Sequence, residues 1–266
     1  WIYKEKSLAY EIPPEFKSIY AYSMSGLITQ LKAKVFISTL NTSDFIPFFV
    51  TPRNIVVQLW HGSPLKNIGI DSRKTIVRKM LDRLRFMTLD KYTYCLSPAA
   101  IFDDKFASAF LLKKENILRS AYPRNMSLFI SDQRKKQIRD SLNISEDTVL
   151  VLYLPTHRKE GNDSSVYTKS LELSKYDDVL HHHNIQFIIK PHFYDIDNFR
   201  LFKDSSSIKV LFDLDIDLYE LLASSDALVT DYSSVFFDYE LLRKPIFIFP
   251  FDLDEYIASD RGMYFD

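Results

Sequence analysis

The chain has 266 residues, 46% of them hydrophobic, which suffices for one large domain or two small ones, and two domains with separate cores is the reading adopted. Lys and Arg total 34 against 35 Asp and Glu, so the overall charge gives no reason to expect nucleic acid, which selects a strongly basic protein, and any anion site must be local. A single cysteine, Cys95, excludes an internal disulfide framework; the longest apolar runs, 45–50 and 246–249, fall far short of the roughly 18 residues of a membrane span, and no signal peptide is visible.

In chain order, the first half predicts a helix over 24–32, strands over 35–38 and 55–59, a helix over 72–86, a strand over 92–96 and a helix over 99–109. The apolar neighbours Tyr92, Tyr94 and Leu96 make Cys95 a buried strand residue of a reducing compartment. This half, 1–125, reads as an irregular or incomplete α/β domain. The polar stretch 122–145, with Pro123 and a charged helix, reads as the inter-domain connection.

The second half, 126–266, alternates more clearly. Strands are expected over 148–153, 186–190, 208–211, 227–230 and 246–249, with helices over 169–181, 218–224 and 235–242. Gly161 and the residues 163–165 mark a flexible loop. Such alternation is the sequence form of an α/β fold with a parallel sheet covered on both faces. The abrupt start, and an end at 262–266 without a polar tail, read as an excerpt of something longer.

Only five glycines occur, and none forms a GxGxxG or Walker loop, so a bound phosphate would have to be held by side chains and a helix start. The best such place is 229–240, where a hydrophobic strand ending at Thr230 runs into Asp231, Tyr232, Ser233 and Ser234 and then a helix. Free N–H groups and serine hydroxyls there favour an anion. The ordinary alternative is that one serine merely caps the helix.

In 57–66, His61 follows directly on a strand, with Gly62 and Pro64 in a tight turn and Lys66 close behind. Ligands of open α/β sheets sit beyond the carboxyl ends of the strands, and histidine suits proton transfer near neutrality. A structural histidine is the competing reading. Pro155-Thr156-His157-Arg158 and Lys190-Pro191-His192 are two further polar strand ends. His181, His182 and His183 are three consecutive residues that cannot share a helical face; they read as an exposed helix end, and no metal site is expected. In 73–87, Ile76, Met80, Leu84 and Met87 form a stripe among Arg73, Lys74, Arg78, Lys79, Arg83 and Arg85. This segment suits an anionic membrane surface or an anionic polymer, or else is a solvated face over a packed stripe.

Together, Gln58-Leu59-Trp60-His61-Gly62-Ser63-Pro64-Leu65-Lys66, Pro155-Thr156-His157-Arg158, Lys190-Pro191-His192 and Thr230-Asp231-Tyr232-Ser233-Ser234 resemble the CDP-glycerol glycerophosphotransferase family, which includes polymerases and primases of wall teichoic acid and related capsule enzymes. Phe237-Asp238-Tyr239, Lys244-Pro245, Arg261-Gly262 and Tyr264-Phe265-Asp266 extend the likeness. The resemblance implies two Rossmann-like domains of the glycosyltransferase-B type facing a cleft, with the nucleotide held mainly by the second. It implies transfer of glycerol phosphate, or a related polyol phosphate, from a CDP-polyol donor to a lipid-linked or polymeric polyol-phosphate or saccharide acceptor, with release of CMP and without a cofactor. His61 would be the base or a positioning group for the acceptor hydroxyl. His192, Ser233 and Ser234 would hold the pyrophosphate, Arg158 would clamp phosphate, Asp238 would reach the ribose, and Thr230 and Lys66 would help bind substrate. The expected location is cytoplasmic, peripheral on the inner face of the membrane.

Departures from the pattern are His157, where the family usually shows tryptophan or another residue, Lys190 where arginine is frequent, a short first domain, and no closing helices after Asp266. A sugar transferase of the same architecture using a nucleotide sugar, and a non-catalytic module holding an anionic polymer, are the competing functions.

Overall fold

A computed structural model describes residues 1–10, 12–88, 91–158, 173–200, 202, 204–212, 216–259 and 262–265. The chain divides into two compact units, Trp1–Tyr122 with Arg261–Asp266, and Pro123–Asp260. The loop expected at 161–165 lies outside the described residues.

The first unit opens with a short parallel pair, β1 (Ile2–Tyr3) and β2 (Ile19–Tyr20), followed by α1 (Met24–Lys32). A four-stranded parallel sheet follows in the order β3 (Val35–Ser38), β4 (Ile55–Gln58), β5 (Tyr94–Ser97), β6 (Ile117–Arg119). Between β4 and β5 runs α2 (Ile76–Thr88), and between β5 and β6 runs α3 (Ala100–Phe110). On α3 the buried positions Phe102, Phe106, Ala109 and Phe110 recur at helical spacing and form one core-facing stripe. Cys95 is fully buried in β5, and burial raises its thiol pKa well above the ordinary range, which leaves it an inert core residue.

Helix α2 differs. Ile76, Val77, Met80, Leu81, Leu84 and Met87 are each 61–78% exposed, so the apolar stripe is not packed under a charged face. The helix starts four residues later than expected because a 3-10 turn, Gly69–Ser72, precedes it. Strand β6 has no counterpart in the predicted elements; three residues beside the polar run 113–116 carry too little pattern to be read.

The second unit is a five-stranded parallel sheet in the order β11-β10-β7-β8-β9: β7 (Val149–Leu154), β8 (Ile185–Ile189), β9 (Ile208–Val210), β10 (Ala227–Thr230), β11 (Ile246–Ile248). The order reverses between β7 and β10, which is where such sheets open a crevice beyond their strand ends. On one face Leu150, Leu152 and Leu154 of β7 pack with Ile188, Leu221, Leu222 and Leu228; on the other, Tyr153 packs with Ile189, Phe199 and Ile208. This two-residue alternation covers both faces, as the sequence pattern predicts.

Among the described residues the helices of this unit are α4 (Asp132–Ser141), α5 (Asp177–His182), α6 (Ile196–Phe199), α7 (Leu218–Ser224), α8 (Val235–Tyr239) and α9 (Leu253–Ser259). Of the helix expected over 169–181, residues 169–172 lie outside the described residues, 173–176 form a 3-10 turn, and α5 ends in the exposed histidines. The stretch expected to connect the domains is instead part of this core: Leu128, Ile138, Leu142 and Ile144 sit in the same cluster as β7. Its charge, which suggested a linker, is matched inside the unit. Arg134 of α4 donates to both carboxylate oxygens of Glu220 on α7, and the buried Arg139 donates to the Ser224 carbonyl and to Asp226.

Candidate functional site

Each unit carries a polar cluster at its strand ends. In the first, β4 ends at Gln58, a fully buried side chain that donates from Nε2 to the Leu40 carbonyl (3.1 Å) and accepts at Oε1 from the Trp60 N–H (2.7 Å). These bonds hold Trp60 at φ 59°, a left-handed conformation that a bulky residue adopts only when its surroundings impose it. The turn leaves His61 exposed, its ring 4.1 Å from the Trp60 ring. His61 Nδ1 lies 3.1 Å from the Thr39 carbonyl, and a carbonyl can only accept. Nδ1 therefore carries the hydrogen, and the lone pair of the neutral ring is on Nε2, as a proton acceptor requires.

The loop after His61 is tied from both sides. The Tyr122 hydroxyl donates to the Gly62 carbonyl (3.0 Å). Lys66 forms an antiparallel bridge with Met263, flanked by Asn67 N–H to the Gly262 carbonyl (3.0 Å) and Tyr264 N–H to the Leu65 carbonyl (2.9 Å). The Tyr264 hydroxyl adds a bond to Asp71 (2.7 Å). The motif at the end of the sequence thus braces the motif that carries His61, and Lys66 sits in that brace.

In the second unit the ends of β7 and β8 bring His157, His192 and Asp195 together. Asp195, 2% exposed, accepts from His157 Nδ1 at 3.0 Å, and the rings of His157 and His192 stack at 5.4 Å. His192 Nδ1 accepts from the Tyr194 N–H at 3.4 Å, which puts the hydrogen of the neutral ring on Nε2. The His192 pKa lies below the ordinary imidazole value, through burial first and repulsion by His157 second, partly offset by Asp195. Donor atoms of these three residues lie within 4.8 Å of one another, close enough to suggest a cation site. Here His157 and Asp195 hydrogen-bond each other, so the cluster reads as a held imidazole pair.

Ser233 and Ser234 lie half-buried where β10 meets α8. Ser233 Oγ accepts from the Val235 N–H at 3.4 Å, whereas Ser234 occupies the N-cap position without a side-chain cap bond. The cap reading therefore fits Ser233, and the Ser234 hydroxyl is not used that way.

Three residues expected to meet substrate are engaged within the protein. The expected clamp, Arg158, is 7% exposed; its Nη2 donates to Asp231 (2.8 Å) and Asp252 (2.9 Å), its Nε to Asp252 (2.8 Å), and its Nη1 to the Thr156 carbonyl (2.6 Å). The rings of Tyr232, Phe251 and Tyr256 surround the guanidinium at 4.9–5.4 Å. In this arrangement it ties the ends of β7 and β10 to Asp252 through two carboxylates. Thr230 is fully buried and donates to the Leu154 carbonyl (2.8 Å), closing the switch point between β10 and β7. Asp238, 2% exposed, accepts from Arg124 and from the Tyr219 hydroxyl, each at 2.8 Å, and these bonds fasten α8.

Asp231, Asp252 and Asp195 were not singled out by sequence reasoning. Asp231 also accepts from the Thr156 N–H (2.9 Å), making it the hub of the crevice. Its position directly after β10 was the available signal; Asp252 and Asp195 gave none.

The whole chain, residues 1–266, matches the family model described as CDP-Glycerol:Poly(glycerophosphate) glycerophosphotransferase. It is 30% identical over 263 residues to the teichoic acid glycerol-phosphate transferase of Staphylococcus aureus, covering 92% of this chain and 64% of that protein. It is 32% identical over 259 residues to the teichoic acid poly(glycerol phosphate) polymerase of Bacillus spizizenii, covering 92% and 63%. Among solved structures it is similar to the wall teichoic acid polymerase TagF, with TM-score 0.76 and 26% identity over 96% of this chain and 63% of that one. The fold alone is shared with a UDP-GlcNAc 2-epimerase from Neisseria meningitidis, at TM-score 0.58 and 14% identity. The chain thus spans just under two thirds of the length of these teichoic acid relatives.

Proposed function

We infer that this chain, which belongs to the CDP-glycerol:poly(glycerophosphate) glycerophosphotransferase family, moves glycerol phosphate or a related polyol phosphate from a CDP donor to a teichoic-acid-like acceptor. The observation that carries the mechanism is the opposite proton placement on two strand-end histidines. His61 offers a lone pair at Nε2, and His192 offers a hydrogen there. In this reading the two units are the Rossmann-like halves of a glycosyltransferase-B architecture. The acceptor hydroxyl gives its proton to His61 Nε2 as its oxygen bonds to the donor's β-phosphorus. The bond from that phosphorus to the CMP oxygen breaks, and CMP leaves with the electron pair. His192 Nε2–H and the Ser234 hydroxyl stabilise the charge growing on the departing phosphate. Ser233 supports the same turn, and Lys66 lies in the braced loop on the acceptor side.

The basic helix α2 supports a peripheral position on an anionic membrane leaflet. Its apolar side chains are exposed beside Arg78, Lys79 and Arg83, the arrangement of an interfacial helix. Among the described residues no helix is long and apolar enough to cross a membrane. The test is incubation with a series of CDP-polyols and a lipid-linked disaccharide acceptor, followed by mass spectrometry. CMP release with growth of the acceptor by one or more polyol phosphates is expected. No turnover of any CDP-polyol would overturn the reading. Neutralising Arg78, Lys79 and Arg83 together should weaken sedimentation with anionic vesicles, and unchanged binding would remove the membrane role.

A further inference from the structure

His157 takes no step in the proposed mechanism, and the sequence marks it only as a departure from the family pattern. The second unit nevertheless fastens it on both sides. Just before it, the Thr156 N–H donates to Asp231 (2.9 Å) and the Thr156 carbonyl accepts from Arg158 Nη1 (2.6 Å). Its own Nδ1 lies 3.0 Å from the carboxylate of Asp195, a residue 2% exposed, whose N–H donates to the His192 carbonyl (2.8 Å). A carboxylate accepts, so Nδ1 of His157 carries a hydrogen. What remains for a ligand is Nε2: it makes no hydrogen bond among the described residues, and the side chain is 32% exposed.

The neighbouring ring is set up differently. His192 carries its hydrogen on Nε2 when neutral, and the two rings stack at 5.4 Å with 27° between their planes. Tyr194 packs against both, 5.2 Å from the His157 ring and 5.4 Å from the His192 ring. The groups facing His157 among the described residues are thus one carboxylate, one imidazole and one phenol. Stacked imidazoles repel each other when both are charged, and of the two His157 is the one bonded to a carboxylate. Repulsion by His157 contributes to the low His192 pKa, which gives the same order of charging from the other ring.

We propose that His157 takes up a proton from solvent when a phosphoryl group binds at this pair, so that its Nε2–H and that of His192 hold the phosphoryl oxygens together while Asp195 balances the new charge. Neutral, His157 turns a lone pair outward, which repels an anion; protonated, it supplies a charge-assisted donor. The proton returns to solvent when the phosphate leaves. His157 is thereby a phosphate-binding residue and Asp195 a positioning residue. The proposal rests on the transferase reading for the identity of the phosphate, that of the departing CMP. It adds a positive charge to a site whose assigned donors, His192 and the Ser234 hydroxyl, are neutral.

Calorimetry with CMP tests this, with cytidine as the reference that lacks the phosphate. At about pH 7.5 the CMP phosphate, with a second pKa of about 6, is already a dianion, so any proton taken up goes to the protein. Titration in two phosphate-free buffers of different ionisation heat gives the number of protons. About one proton per CMP is expected in the unsubstituted protein. In His157→Gln the uptake should vanish and CMP should bind about tenfold more weakly, with cytidine unchanged. Asp195→Asn should lower the uptake too, because an amide does not balance the charge. Nitrogen NMR of the unsubstituted protein keeps the test open if a variant fails to fold: CMP should move the His157 ring nitrogens to the imidazolium position. CMP bound no tighter than cytidine, binding without proton uptake, or uptake unaltered in His157→Gln would overturn the proposal. If no CDP-polyol were turned over, the transferase reading would fall, and the CMP titration would still decide whether His157 charges on binding a phosphate.

Discussion

His61 and His192 each stand just past a parallel strand, yet the backbone gives them opposite proton arrangements. His61 faces a carbonyl, Thr39, through Nδ1; His192 faces an amide, Tyr194, through the same atom. The first must hold its hydrogen on Nδ1 and the second on Nε2. One residue type in one kind of loop is thereby set up as an acceptor in one unit and as a donor in the other. Their surroundings differ too. The His61 turn is braced by main-chain bonds from the chain's far end, whereas the His192 loop depends on a side-chain neighbour, His157, held by Asp195.

The strongest way to break this comparison is His61→Ala. Loss of a general base is expected to lower transfer by about 10²–10⁴-fold, measured as CMP release with acceptor present; a change below tenfold would reduce His61 to a positioning group. Next is Arg158→Ala. Removing one partner of a buried ion pair typically costs about 3–5 kcal/mol, so chemical denaturation should show a loss of that order. A folded, equally stable variant with weakened donor binding would restore the clamp. Gln58→Leu should cost about 1–3 kcal/mol in chemical denaturation, because the Trp60 N–H and Leu40 carbonyl lose their buried partner.

The smallest expected effect concerns titration. His157→Phe removes a repelling imidazole and the group facing Asp195, so the His192 pKa should rise, as followed by NMR of its ring protons. In the unsubstituted protein the depressed pKa means the native state binds less proton than the unfolded chain. Its contribution to stability is present above the ordinary value of about 6.5 and is lost as the pH falls through the native pKa. Stability measured from pH 7 downward should therefore decline less steeply in His157→Phe, and an unchanged slope would show that His157 has no hold on His192.

Much of the second unit was legible because its central strands β7, β8 and β10 are largely buried on both faces and its helices keep helical spacing. Leu218–Ser224 and Ala227–Thr230 match the predicted elements residue for residue. The misread stretch, 122–145, shows the limit: α4 carries a single apolar anchor, Ile138, and its charges find partners in sequence-distant Glu220 and Asp226. Of the expected substrate contacts, Ser234 keeps an uncommitted cap position, while Arg158, Thr230 and Asp238 were legible as polar groups near strand ends but not in their orientation. Strand-end position is local information. Which carboxylate fills a guanidinium fork is not.

By itself the sequence determined the α/β alternation, the family and the two strand-end histidines, since hydrophobic period and short motifs are carried by neighbouring residues. Only the tertiary structure decided which nitrogen of each ring holds the proton, that the final motif braces the His61 loop, and that Arg158 is held by two carboxylates. Each of those depends on a partner brought close by folding: Thr39, Met263 and Asp252 lie 22, 197 and 94 positions from His61, Lys66 and Arg158.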